Sequence, residues 1–173
     1  KKAMKKLLSI GCLVLGMILT INTHTSAQSF QESDIIVNAG IGLGSTYSWV
    51  GLSLPIGGGL EYGVKDLEVG SIGVGGDIGF ISGGGLTITY LGAKGSYHFN
   101  ELFELEDDNL DIYGGLGIYY RNFSYSGSGS SFASGAFAAF HIGSRYYFSD
   151  NIGGYAELGN NWGWLNAGIV FRL

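Results

Sequence analysis

The chain alternates between two kinds of residue in the stretch Asp111-Ile112-Tyr113-Gly114-Gly115-Leu116-Gly117-Ile118-Tyr119-Tyr120-Arg121. Its three aliphatic residues, Ile112, Leu116 and Ile118, all share one face of this period-2 pattern. Both charged residues fall on the other face, together with two of the three glycines. Because successive side chains of a β-strand point to opposite sides of the sheet, the stretch predicts a strand with one apolar and one polar face.

The same alternation recurs along the chain after Gln28, where no segment carries a convincing helical stripe. The segments lie at about 35–44, 56–64, 69–81, 86–99, 111–121, 134–148, 151–159 and 164–173. Strands of about 9–11 residues, joined by alternating short turns and longer loops, are typical of transmembrane β-barrels. The predicted fold class is all-β, an eight-stranded antiparallel up-and-down transmembrane β-barrel.

The phase of the charged residues indicates which face lies inside the barrel. Each falls on the face that lacks aliphatic side chains, where most of the strand glycines also lie; these residues are Glu61, Asp77, Lys94, Arg145 and Glu157. Glycine suits the crowded interior of a narrow barrel, where a few large side chains need space. We therefore expect the aliphatic face to contact lipid, with Leu116, Ile118, Leu165, Ile169 and Phe171 as examples.

Composition excludes several classes of protein. The 173 residues include 32 Gly but one Pro, which excludes collagen, and 46% hydrophobic residues with only 13% charged ones, which argues against disorder. A single Cys excludes a disulfide scaffold and a Cys-based zinc site. The formal charge of -5 argues against nucleic acid as a partner.

Residues 1–27 have the pattern of a cleavable signal peptide. A basic cluster precedes an apolar run at 7–19, and the small residues Thr25-Ser26-Ala27 precede Gln28. We expect cleavage between Ala27 and Gln28, which leaves one domain at 28–173. That domain has 5 basic and 14 acidic residues, a formal charge of -9, because the leader holds four of the nine basic residues.

Several short blocks carry a family resemblance: Glu61-Tyr62-Gly63-Val64, Gly92-Ala93-Lys94-Gly95-Ser96-Tyr97-His98-Phe99, Asp111-Ile112-Tyr113-Gly114-Gly115, Gly143-Ser144-Arg145-Tyr146-Tyr147-Phe148 and Tyr155-Ala156-Glu157-Leu158-Gly159. With the leader, they resemble the small outer-membrane β-barrel proteins of Bacteroidetes-type bacteria, with an eight-stranded barrel domain like those of OmpA and OmpW. The resemblance implies a bacterial outer-membrane location, membrane lipid as surroundings and the barrel-assembly machinery as a partner during biogenesis. It implies no specific activity.

The lumenal charges are the strongest candidate site. Glu61, Asp77, Lys94, Arg145 and Glu157 could meet inside the barrel, where buried charges must pair. They then form a salt-bridge plug or, through rearranged pairs, a path for ions. Paired carboxylates for hydrolysis are disfavoured, because basic neighbours would keep both ionised.

Other candidate chemistry is weaker. His98 and His141 lack metal-ligand spacing, and the glycine runs lie inside strands rather than before helices, so no metal, cofactor or catalytic residue is expected. The acidic turn 101–108 is assigned no role, and the cluster at 106–111 is interpreted as a solvated turn, with a Ca²⁺ loop as the alternative. Aromatic residues near the strand ends predict two girdles at the headgroups: Tyr47, Trp49, Tyr119, Tyr120, Phe123 and Tyr125 at one end, and Tyr97, Phe99, Tyr146, Tyr147 and Phe148 at the other.

Three functions remain open at this point. The first is a non-enzymatic outer-membrane barrel that supports the envelope or presents surface loops, with an unknown external ligand. The second is a narrow channel for ions or small solutes. The third is a soluble secreted barrel that binds an apolar ligand, which requires an apolar lumen. An even strand number predicts both termini on the periplasmic side, with loops near 45–55, 82–86, 123–133 and 160–163 outside.

Overall fold

The computed structural model describes residues 30–47, 51–103, 107–126 and 133–173. Eight strands follow one another: β1 Ile35–Leu43, β2 Ile56–Asp66, β3 Ser71–Gly83, β4 Leu86–His98, β5 Leu110–Tyr125, β6 Gly135–Tyr147, β7 Ile152–Gly159 and β8 Leu165–Arg172, with a short 3₁₀ turn Glu101–Phe103 between β4 and β5. Every strand is antiparallel to its neighbours, and β8 pairs with β1 to close the barrel. The predicted fold class is confirmed.

The predicted signal peptide and its cleavage site at Ala27 and Gln28 lie outside the described residues, as do Trp49, Glu104 and Glu106. Among the described residues, no helix is long and apolar enough to cross a membrane.

The alternation of side chains has the predicted phase. Leu116 and Ile118 are 72% and 71% exposed on the outside of β5, whereas Tyr113 and Tyr119 of the same strand are buried inside. In β8, Ile169 is 52% exposed and Leu165 and Phe171 are half-buried, while Asn166 and Val170 are fully buried. The outer surface of the barrel is therefore apolar, and the lumen contains both polar and apolar side chains.

Glycines lie opposite the largest lumenal side chains. Lys94 faces Gly75 of β3 and Gly117 of β5, directly across the ladder. A Cβ atom at Gly117 would lie 2.7 Å from the Tyr119 ring, and one at Gly92 would overlap that ring. Glycine is therefore required where bulky side chains fill a narrow barrel.

The two ends of the barrel differ in charge. We call the end that carries residues 30–34 and 172–173 the terminal end, and the opposite end the loop end. The three connections at the terminal end, 67–70, 99–109 and 148–151, carry seven acidic residues and no basic one: Glu68, Glu101, Glu104, Glu106, Asp107, Asp108 and Asp150. The four connections at the loop end, 44–55, 84–85, 126–134 and 160–164, carry no charged residue.

Candidate functional site

The lumen contains two sets of ion pairs. In the first, Lys94 Nζ lies 3.1 Å from Asp77 Oδ1 and 3.5 Å from Glu157 Oε2. The cation of β4 thus joins carboxylates from β3 and β7. All three side chains are almost fully buried. Each charge is therefore stabilised by the opposite charges beside it rather than by water.

The second set lies nearer the terminal end. Arg145 bonds Glu61 through Nη2, and its Nη1 donates to Asp111 Oδ2 at 3.0 Å. His98 lies between the same two carboxylates, with Nδ1 2.7 Å from Asp111 and Nε2 3.5 Å from Glu61. The Arg145 guanidinium also lies 4.2 Å from the centre of the Tyr113 ring. Strands β2, β4, β5 and β6 are therefore joined across the lumen by one buried cluster.

Neutral donors complete the coordination of the carboxylates. Tyr119 donates to Asp77 Oδ2 at 2.5 Å, Tyr113 to Glu157 Oε2 at 3.2 Å and Asn161 to Glu157 Oε1 at 2.8 Å. With these donors, the carboxylates of the first set accept more hydrogen bonds than Lys94 alone could supply. We call the two sets with these donors the ion-paired region.

The five charged residues singled out in the sequence are thus all buried in the lumen, but they divide into two sets rather than one layer. The sequence interpretation missed Asp111 and His98 as members. Asp111 was assigned to the polar face of its strand, but its pairing with Arg145, which lies directly opposite on β6, was not recognised. His141, by contrast, lies 3.0 Å from Ser96 Oγ through Nε2.

The terminal end is closed by a small apolar group. Phe30 is 1% exposed and stacks on His98, with ring centroids 3.8 Å apart at 15°. It packs with Ile36, Tyr147, Tyr155 and Val170 inside the barrel. The segment before β1 is held there by backbone bonds to Gly63 at 2.8 Å. Phe30 therefore covers the ion-paired region on the side of the terminal end.

The loop end of the lumen is filled by apolar side chains. The group contains Tyr47, Ile81, Leu86, Ile88, Tyr90, Phe123 and Trp162, which we call the apolar region. Trp162 comes from the β7–β8 connection, which folds back into the barrel. The ion-paired region thus lies between two apolar closures.

The girdle prediction is wrong for four of its residues. Tyr120, Tyr146 and Phe148 are exposed on the outside, as a girdle requires. Four others point into the lumen and are buried: Tyr47, Tyr119, Phe123 and Tyr147. Tyr119, Phe123 and Tyr147 share the strand phase of the lumenal charges, and this phase overrides their preference for an interface.

Within the described ranges, no group of three or more His, Cys, Asp or Glu side chains could hold a metal ion. Asp107 in the acidic connection accepts from the backbone and side-chain nitrogens of Asn109, at 3.0 and 3.2 Å. That contact forms a local turn, whereas Asp111, the last residue of the cluster at 106–111, is buried in the lumen rather than solvated.

Solved structures with the same fold are outer-membrane or designed transmembrane barrels. The N-terminal barrel domain of OprF from Pseudomonas aeruginosa has a TM-score of 0.58 at 20% identity, over 83% of this chain and 100% of that one. A barrel from a study of de novo designed transmembrane β-barrels gives 0.53 at 16%, over 83% and 98%. OprG of P. aeruginosa gives 0.50 at 11%, over 84% and 98%. Neither a protein-family model nor a curated protein matches the chain.

This chain therefore has the fold of the eight-stranded outer-membrane barrels. The fold and the apolar exterior together place it in a bacterial outer membrane, as the sequence predicted. The buried ion pairs in the lumen and the apolar outer surface argue against the soluble carrier, which requires an apolar lumen.

Proposed function

We propose that this chain is a closed, non-enzymatic barrel that supports the outer membrane or presents its loops at the cell surface. The observation that supports the proposal most is the burial of the lumenal charges. Glu61, Asp77, Lys94, Arg145 and Glu157 are each 5% exposed or less. Ionised groups that conduct ions need contact with water, whereas these contact one another.

Phe30 at the terminal end and the apolar region at the loop end support the same conclusion. Each covers one side of the ion-paired region with side chains that are mostly aliphatic or aromatic. In an eight-stranded barrel the lumen is just wide enough for side chains to fill it. A stable aqueous bore would require both closures to move.

A narrow channel is the second candidate, and the position of Lys94 favours it. A cation that lies between two carboxylates can move toward either one and leave the other free. Current across planar bilayers distinguishes the two functions. We expect the wild-type barrel to be silent, and steady single-channel currents would support the channel instead.

The membrane assignment predicts depth-dependent effects of an outward charge. Leu116→Arg places a charge on the apolar exterior and is expected to cost about 2–4 kcal/mol if the residue lies at mid-bilayer. Phe148→Arg, an equally exposed position just after β6, is the matched control, with an expected cost of about 0–1 kcal/mol. Refolding yield into lipid vesicles measures both, and equal yields would contradict the assignment.

Further parts of the proposal rest on sequence alone. They are export by a signal peptide cleaved after Ala27, delivery to the barrel-assembly machinery, and membership of the barrels of Bacteroidetes-type bacteria. The terminal end is then periplasmic and the uncharged connections face outside. Mass spectrometry of the protein from an outer-membrane fraction tests cleavage, because the mature chain would begin at Gln28.

A further inference from the structure

Among the described residues, the loop end of the lumen holds one cation, Arg121 of β5. Its guanidinium carbon lies 5.1 Å from the centre of the Tyr47 ring, 5.3 Å from that of Phe123 and 5.1 Å from that of Phe137. Three aromatic rings thus surround the charge. Such contacts stabilise a cation, and part of the Arg121 side chain stays exposed at the loop end.

Arg121 lacks a carboxylate partner in the part of the chain that the structure describes. The sequence supplies none nearby either, because the four connections at this end contain no Asp or Glu. Asp77 is engaged by Lys94 and Tyr119. The Nε atom of Arg121 is buried and has no hydrogen-bond partner among the described residues. The positive charge of Arg121 is therefore not balanced by a carboxylate of the described residues.

A small cavity lies beside this guanidinium and opens toward the loop end. It has a volume of about 20 Å³ and is lined by Arg121, Ser45, Thr46, Asn160, Trp162 and Trp164, among others. One water-sized group needs about 10–15 Å³, so the cavity accepts a group of one or two such atoms. The rest of a ligand would remain outside the cavity, at the loop end.

We propose that this cavity binds the carboxylate of a small organic anion that enters from the loop end. A guanidinium presents paired N–H donors in a plane, and a carboxylate presents two oxygens that match them. The two oxygen atoms of a carboxylate are as many as the cavity accepts, whereas a phosphate group carries at least three terminal oxygens. The connections at this end contain no acidic residue. The positive charge of Arg121 therefore attracts anions, and no fixed carboxylate in these connections repels them.

Acetate is the probe for the test, in protein labelled with ¹⁵N and refolded in detergent micelles. The three arginines and three tryptophans give few side-chain N–H signals, which variants can assign. Sodium acetate is titrated at constant ionic strength against sodium chloride. We expect saturable shifts of the Arg121 Nε–H and Trp162 indole N–H signals with acetate and none with chloride.

Arg121→Gln should abolish both saturable responses, and Lys65→Gln, which removes an exposed cation at the terminal end, should leave them unchanged. Equal responses to the two salts, or an unchanged Trp162 response in Arg121→Gln, would overturn the proposal. The first outcome would assign the aromatic site a purely structural role.

A second variant keeps the test decisive if Arg121→Gln does not fold. Thr46→Asp places a tethered carboxylate at the lining of the cavity. We expect it to abolish the response to acetate and to raise the melting temperature above that of Thr46→Asn. A Thr46→Asp protein that melts at or below Thr46→Asn and still responds to acetate contradicts a carboxylate site.

Discussion

Two regions of the same lumen are filled by different interactions. The ion-paired region holds its strands together with buried charges that require one another, each carboxylate lying within 3.5 Å of a basic group. The apolar region is filled by aliphatic and aromatic side chains around one arginine. We therefore expect the stability of the barrel to depend on the loss of a charged partner in the first region and on the loss of side-chain volume in the second.

The largest expected effect is the loss of Arg145. Arg145→Met leaves Glu61 and Asp111 buried with only His98 between them, and should cost about 3–5 kcal/mol of unfolding free energy. Arg121→Met in the apolar region leaves no carboxylate without a partner and should cost about 0.5–2 kcal/mol. Urea unfolding in lipid vesicles measures both. An Arg121→Met protein as unstable as Arg145→Met would remove the distinction between the regions.

Loss of Lys94 should have a slightly smaller effect. Lys94→Met is expected to cost about 3 kcal/mol, at the lower end for a broken buried pair, because neutral donors still bond Asp77 and Glu157. Neutralising both acids, by Asp77→Asn and Glu157→Gln in the same protein, should restore much of the loss. No recovery in this triple variant would mean that packing, rather than charge, sets the stability of this region.

Tyr119 connects the two regions, because its hydroxyl bonds Asp77 and its ring packs on Phe137. Tyr119→Phe leaves one buried carboxylate oxygen without this donor and should cost about 1.5–3 kcal/mol. Tyr90→Phe is the control within the apolar region, since none of the described residues forms a hydrogen bond with its hydroxyl in the structure. We expect its cost to stay below about 0.5 kcal/mol, within the range of substitutions that disturb no specific contact. A comparable loss in both variants would show that hydroxyl removal itself is costly in this lumen.

Apart from the Tyr90→Phe control, the smallest effect is expected for a single methyl group of the apolar region. Ile88 is fully buried, and Ile88→Val should cost about 0.5–1.5 kcal/mol. Because the interaction is apolar, the cost should be the same at low and high salt. A cost that depends strongly on salt would indicate that ion pairs control this region as well.

Most of the fold could be predicted from the sequence because the side-chain period of two is local information. The eight strands and the inward phase of Glu61, Asp77, Lys94, Arg145 and Glu157 follow from it directly. The pairing of those charges does not, because it depends on register between strands. Asp111 illustrates the limit: its phase was assigned, but only the β5–β6 register brings it opposite Arg145.

The apolar region was missed for two different reasons. Phe123 has the same strand phase as Tyr119 and Arg121, and this signal could have placed it inside the barrel. Trp162 carries no such signal, because it lies in a connection whose path is set by the residues that it covers. Side chains of connections can therefore fill a lumen without any trace in the strand pattern.

The unequal charge of the two ends has a consequence for assembly. To insert, a barrel must carry one set of its connections across the hydrocarbon layer. Each ionised side chain at the bilayer centre costs about 2.5–3.5 kcal/mol even on the lowest scale. The four connections at the loop end cross without that cost, whereas the three at the terminal end would carry seven carboxylates. The charges of the connections thus favour insertion with the loop end leading.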